Sequence, residues 1–359
     1  MHKFFACCSD LGGTLPLERL ADHLSALADA VLGLALAAAW RSMNAVAGNG
    51  PAPAETPPPP RLAIIAYGKL GGRELGYASD LDLAFVFEPS AAPEAAERDA
   101  RLCAQLVRRL ISWITTVTSS GRLFEIDLRL RPDGSAGLLV TPMEAFERYQ
   151  CNVDGHGAWV WEHQALTRAR VCAGDAALAQ RVEQVRERVL RQPRDGASLA
   201  AEVVAMRRRM LEGHVNRSDR FDLKHDRGGM VDIEFIVQYL VLAYADRHAQ
   251  LVSNRGNIGL LLLAAELGLI DSDLAQACAR AYRRYRQLQH TLRLNGAERA
   301  RVDRGLVQEQ IETVLRLWQL VLGTEQPLPA AAAKSVVRAG AASLVSGESP
   351  GAGGADRTR

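Results

Sequence analysis

Three aspartates carry the chemistry this sequence offers. Asp80 and Asp82 stand one residue apart in Ser79-Asp-Leu-Asp82, at the head of an apolar run that ends at Phe87. Side chains two apart on a strand point to the same side, so the two carboxylates are presented to one place across roughly 7 Å of backbone rise. Hard divalent cations favour such oxygens. Magnesium in phosphoryl-transfer sites is typically held by one or two carboxylates together with the substrate's own phosphates. Asp127 is the third candidate ligand. Around it, in residues 122–131, period-2 alternation puts Phe124, Ile126, Leu128 and Leu130 on one face and Glu125, Asp127, Arg129 and Arg131 on the other. If that strand neighbours the Asp80/Asp82 strand, three carboxylates can hold two ions, with Arg129 and Arg131 left to meet phosphate oxygens bidentately. Gly68-Lys-Leu-Gly-Gly72 supplies a glycine-rich turn upstream, which makes Gly68, Lys69 and Ser79 candidate nucleotide contacts alongside the two arginines. A P-loop is excluded, because Lys69 is followed by Leu70 rather than Ser or Thr and the turn is expected to lead into a strand.

These residues need a sheet to position them. Leu62 to Tyr67 and Leu81 to Phe87 read as short strands buried on both faces, the alternating segment at 122–131 as a third, and Gly137 to Val140 as a fourth. An amphipathic helix is expected from about Ala95 to Thr118. Thr141 is expected to cap a helix that opens with Pro142 and runs to Gln150. The fold class is therefore α+β, a small mixed-sheet core followed by a helical bundle. The expected organisation is an unmatched segment over 1–14, a helix over 15–47, a proline-rich linker over 48–60, a catalytic domain over 61–150, a helical bundle over 151–323 and a disordered tail over 324–359. Helical apolar spacing recurs at Ala176 to Leu190, Ser198 to His214, Val231 to Tyr244, Ile258 to Leu267, Asp273 to Leu294 and Leu306 to Leu322.

The glycine turn with Ser79-Asp-Leu-Asp82 and a later strand aspartate resembles the DNA polymerase β-like nucleotidyltransferase superfamily. More closely, the run Gly68 to Asp82, Asp127-Leu-Arg-Leu-Arg-Pro132, Trp161-Glu-His-Gln-Ala-Leu166 and Gly228-Gly-Met-Val-Asp-Ile-Glu-Phe235 resemble the glutamine synthetase adenylyltransferase family. The resemblance covers about residues 15–322. Members carry two related halves. The wording Leu75-Gly-Tyr, Trp161-Glu-His-Gln and Phe221-Asp-Leu-Lys resembles the C-terminal half, which attaches AMP, and the half that removes AMP is expected to be absent. The resemblance implies that Asp80, Asp82 and Asp127 hold Mg²⁺, two ions by the two-metal scheme, and that ATP is the nucleotide. It also implies that a tyrosine hydroxyl of glutamine synthetase is the acceptor. Asp127 is the expected proton acceptor unless metal coordination alone lowers the hydroxyl pKa enough, and the resemblance offers the PII signal protein as a further partner. Phosphorolytic removal of AMP, a small-molecule nucleotidyltransferase and an inactive fragment are the alternatives.

Composition sets outer limits. Forty-three basic against forty-one acidic residues give a formal charge of +2, which leaves no electrostatic footprint for duplex nucleic acid. The six cysteines lack metal-ligand spacing and the density of a secreted scaffold, so reduced thiols and a cytoplasmic location are expected. The mostly apolar stretch Leu24 to Trp40 is interrupted by Ser25 and Asp29 and falls short of the ~20 residues that span a bilayer, so no membrane is expected. In Lys224 to Phe235, Asp232 and Glu234 open a helix after Gly228-Gly229, where acids are equally explained by capping and by a functional role. His163 is expected to be packed or hydrogen-bonded, and the arginine-rich stretch Arg280 to Arg293 to be a solvated helix face.

Overall fold

The structure is a computed structural model that describes residues 7–10, 12, 14–47, 58–119, 121–153, 155 and 157–323. The expected tail lies outside these residues, as does the linker apart from Pro58, Pro59 and Pro60. A long helix α1 (Leu17–Ala47) precedes strand β1 (Leu62–Ala66), a single helical turn α2 (Gly68–Gly71), β2 (Leu81–Phe87) and helix α3 (Pro93–Thr115). Two short strands follow, β3 (Ile126–Asp127) and β4 (Thr141–Pro142), then α4 (Met143–Gln150), α5 (Val160–Leu166) and β5 (Arg170–Gly174). The remainder is α6 (Ala176–Leu190), α7 (Gly196–Gly213), β6 (Phe221–Asp222), α8 (Met230–Tyr244), α9 (Gly256–Glu266), α10 (Ser272–Leu294), β7 (Arg301–Val302) and α11 (Gln308–Leu322).

The sheet is mixed. β1 lies between β2 and β5, antiparallel to both, and β3 and β4 run parallel to opposite ends of β2. Both faces are covered, which explains why β1 and β2 read as continuous apolar runs. Leu62, Ile64, Ala66, Leu81, Leu83, Phe85 and Phe87 join the core made with α1 and α3. The alternate residues Ala63, Ile65, Ala84 and Val86 join the core made with the helices after β4. By the same parity Asp80 and Asp82 belong to the face that the helical bundle covers.

Several expectations are corrected. The strand at 122–131 shrinks to Ile126–Asp127. Its polar face breaks up because Asp127 Oδ1 accepts the backbone N–H of Arg129, which turns the chain, and Pro132 has no N–H to extend a ladder. The strand expected at 137–140 forms instead at Thr141–Pro142 against Val86 and Phe87, so Pro142 precedes the helix and Met143 opens it. Beyond residue 150 the chain is not all helical. β5 completes the sheet, with Arg170 and Val171 beside Ala66 and Ile65, and β6 pairs with β7. The glycine turn contains one turn of helix, not a loop alone. Arg280 to Arg293 is not a solvated face throughout, since Tyr282, Tyr285, Arg286, Gln289 and His290 are buried. Finally, α1 is longer than its apolar stretch, and by length and composition alone it is apolar enough to cross a membrane. Leu20, Leu24, Ala28 and Leu32 nevertheless pack in the core, and Asp29 pairs with Arg170 at 2.9 Å.

Candidate active site

Strand register brings the three aspartates together. Asp82 and Asp127 are direct partners in the parallel β2–β3 pair, and Asp80 lies one step before β2 on the same side as Asp82. One carboxylate oxygen from each of Asp80, Asp82 and Asp127 lies within 4.8 Å of the others. Burial, then the charges of Asp80 and Asp127, push the Asp82 carboxyl up to about 7, against opposing pulls from Lys224 and Arg168. Burial also acts to raise Asp127, but the Arg129 guanidinium outweighs it and holds that carboxyl below its ordinary value. Arg129 Nε lies 2.8 Å from Asp127 Oδ2 and Nη2 lies 2.5 Å from the same oxygen. Clustered anionic oxygens whose mutual repulsion favours a proton on Asp82 are a fitting donor set for a hard divalent cation.

The glycine turn supports this cluster from below. Gly68 has φ +54°, and a Cβ there would collide with Oδ2 of Asp82, so the position needs glycine for its backbone and for the carboxylate above it. The N–H of Tyr67 donates to the Asp82 carbonyl at 2.9 Å. Ser79 shapes the approach to Asp80, its Oγ accepting the Gly76 N–H at 3.0 Å. Side chains from β5 and from the helical layer hold the carbonyls of the turn. Arg170 Nη2 donates to Leu70 O at 3.1 Å, Asn254 Nδ2 to Gly71 O at 2.6 Å and Arg286 Nη2 to Glu74 O at 2.9 Å.

Glu74 ties the turn to the bundle. Its buried carboxylate meets Arg168 Nη2 at 2.5 Å, the Asn257 backbone N–H at 2.8 Å and Asn257 Nδ2 at 2.7 Å. The Tyr282 hydroxyl lies 3.2 Å from Glu74 Oε2 and 3.1 Å from Glu234 Oε1, and Arg168 Nη1 reaches Glu234 at 3.5 Å. Glu234 is therefore part of the site's surroundings, and its carboxyl is lowered by Arg168, Lys224 and Lys69 despite burial. Asp232 is not part of them. It is fully buried, accepting from Arg207 Nε at 2.5 Å and from the Gly228 N–H at 2.7 Å.

Of the residues singled out by sequence, Asp80, Asp82, Asp127, Gly68, Lys69 and Ser79 converge. Arg129 converges too, but onto Asp127. Arg131 turns away, donating to Leu128 O at 2.9 Å and Gly137 O at 3.2 Å, because β3 ends before the alternation can carry it to the shared face. His163 is buried, with Nε2 3.0 Å from Gln150 O. Sequence reasoning missed Glu74, Arg168, Asn257, Tyr282 and Lys224. Glu74 and Lys224 lie inside the quoted motifs, whereas the other three depend on contacts remote in sequence.

Residues 2–185, just over half of the chain and containing all three carboxylates, match the glutamate-ammonia ligase adenylyltransferase family. The chain belongs to that family. Residues 201–324 match the GlnD PII-uridylyltransferase family, so Lys224, Glu234 and Tyr282 fall in a region shared with a second group of nucleotidyltransferases. Over 320 residues the adenylyltransferase-family chain is 53% identical to the bifunctional glutamine synthetase adenylyltransferase/adenylyl-removing enzyme of Bordetella bronchiseptica, covering 89% of this chain and 32% of that protein. The enzyme of the same name from Aromatoleum aromaticum is 51% identical over 315 residues, covering 88% of this chain and 32% of that protein. The chain thus spans about a third of the length of these relatives.

Proposed function

We propose that this chain transfers AMP from ATP to a tyrosine hydroxyl of glutamine synthetase, with release of pyrophosphate. The observation that carries the reading is the convergence of Asp80, Asp82 and Asp127 within 4.8 Å on the sheet face covered by the helical bundle. The names of the relatives supply the acceptor protein. Asp80, Asp82 and Asp127 would hold magnesium, two ions in this reading, which when bound neutralises the triphosphate and lowers the pKa of the attacking hydroxyl. Gly68 leaves the space that Asp82 occupies, and Ser79 fixes the chain ahead of Asp80. Arg129 orients the Asp127 carboxylate and keeps it ionised, which suits a metal ligand better than a proton acceptor. Residues 61–150 then carry every proposed metal ligand, and residues 151–323 present the substrates. We place the reaction in the cytoplasm. Contact with the PII signal protein is supported by the likeness of residues 201–324 to the PII-uridylyltransferase family.

Incubating the chain with ATP labelled in the α-phosphate, Mg²⁺ and unmodified glutamine synthetase tests the reading. Label should pass to the protein acceptor and should not pass when Asp82 is replaced by Asn. A parallel incubation of the adenylylated acceptor with phosphate separates the directions. Release of ADP without any transfer would favour the removing reaction on the same carboxylates.

A further inference from the structure

The cations around the three carboxylates divide into two groups. Arg129 is bound to Asp127, Arg131 to backbone carbonyls, Arg168 to Glu74, Arg170 to Asp29 and Leu70 O, and Arg286 to Glu74 O. Two ammonium groups are left over. Among the described residues no carboxylate lies within ion-pair distance of Lys69 or Lys224, and neither ammonium donates a hydrogen bond. Lys69 rises from the glycine turn next to Gly68. Lys224 comes from the opposite layer, the one that faces Asp80 and Asp82 by strand parity.

The Lys224 loop is firmly built although its side chain is exposed. Asp222 Oδ1 accepts the backbone N–H groups of Lys224 and His225, each at 3.0 Å. Asp226 Oδ2 accepts the Asp222 N–H at 2.8 Å, and Arg207 Nη2 donates to His225 O at 2.7 Å. The Lys224 carbonyl accepts the N–H of Val231 in the first turn of α8, at 3.2 Å. One turn further on, Glu234 joins Arg168 and Tyr282, which hold Glu74 and with it the turn bearing Lys69. Burial, then the charges of Lys224 and Arg286, pull the Lys69 ammonium down to about 8, while Lys224 in turn favours ionised Asp82. Glu234 and Asp80 favour the Lys69 ammonium, and Lys224 favours ionised Asp82 and Glu234, so both lysines stand in the field of the site's carboxylates with their donors free for phosphate oxygens.

We propose that Lys224, carried by the helical layer, and Lys69, carried by the glycine turn, together hold the pyrophosphate portion of the nucleotide. The inference rests on the nucleotidyl-transfer reading and deepens it, because it assigns the β- and γ-phosphates to ammonium groups from two layers, not to Arg129 and Arg131. It makes the helical layer a direct contributor to leaving-group recognition. The nucleoside and α-phosphate do not depend on Lys224.

Calorimetric titration of the full chain with Mg·ATP, inorganic pyrophosphate and AMP, without acceptor protein, tests the assignment. Lys224→Ala should weaken ATP and pyrophosphate about tenfold or more and leave AMP within about twofold, with Lys224→Arg recovering most of the loss. Lys69→Ala should show the same selectivity, and thermal melting of the Lys224 variants should match the parent because the side chain is exposed. Unchanged ATP affinity in Lys224→Ala, or equal losses for ATP and AMP, would overturn the assignment and leave the transfer reading standing. Failure of the parent chain to bind ATP at all would remove both.

Discussion

Gly68 and Asp82 share a single space. The carboxylate of Asp82 lies where a side chain on Gly68 would begin, and the φ of +54° at Gly68 disfavours any side chain in the first place. Gly68→Ala should therefore displace a metal ligand besides straining the backbone by about 1–2 kcal/mol. The expected result is at least a hundredfold loss of AMP transfer with a folded protein, checked by transfer assay and circular dichroism. Parent-like turnover would show that Asp82 need not occupy its observed place.

Asp82 also predicts an unusual pH dependence of stability. Its folded-state pKa, about 7, lies above the ordinary aspartate value, so the folded state binds this proton more tightly than the unfolded state does. In chelator, this group's contribution should be largest at acid pH and should be lost as pH rises from about 4 to about 7. Asp82→Asn should remove that slope and stabilise the metal-free protein at pH 8 by roughly 1–2 kcal/mol after solvent screening. Urea denaturation in EDTA across this range measures both effects.

Arg129 has the opposite influence on its neighbour. Burial would raise the Asp127 carboxyl, and Arg129 overcomes that, so Arg129→Met should let the carboxyl rise. The acid limb of the pH–rate profile for AMP transfer should then move to higher pH. A limb that stays in place would separate Asp127 from the rate-determining ionisation.

Legibility of the sequence followed the range of the interactions. β2 was readable residue for residue, and α6 likewise, because burial and helical spacing are local patterns that these segments state without conflict. The carboxylates were readable because Asp-x-Asp fixes its own geometry. The extent of β3 was not, since alternation over ten residues competes with an aspartate that bonds the N–H two residues on and with a proline. β5 was hidden by composition: Arg170-Val-Cys-Ala-Gly174 is short and only partly apolar, and it becomes a strand because β1 has an open edge beside it. The role of Arg286 could not be found at all from an arginine-rich helix whose inward turn depends on Glu74, far away in sequence.

Glu74 should be the most sensitive of these remote contacts. Its loss leaves Arg168 buried, with a side chain 6% exposed, facing Glu234 alone at 3.5 Å. Glu74→Ala should cost about 3–5 kcal/mol of stability by equilibrium denaturation. Glu74→Gln, which retains hydrogen-bonding capacity, should cost less.

Asp232 and Glu234 should separate cleanly by experiment. Asp232→Ala strands the buried Arg207 and should destabilise by about 3–5 kcal/mol, with ATP affinity of the folded fraction unchanged. Glu234→Gln should change the apparent Michaelis constant for ATP while altering stability by less than about 1 kcal/mol. Equal effects of the two substitutions on ATP would contradict their placement.

The position of β5 in the chain has a consequence for vectorial synthesis. As the polypeptide leaves the ribosome, Asp80, Asp82 and Asp127 emerge before the strand that closes the outer edge of β1. Until Arg170–Gly174 appears, the nascent sheet exposes an apolar edge able to pair with another nascent chain. A translational pause placed ahead of residue 170 should prolong that hazard, and one placed after residue 174 should not. The last strand of the main sheet to arrive is thus the one that makes the emerging polypeptide safe from its neighbours on the same messenger.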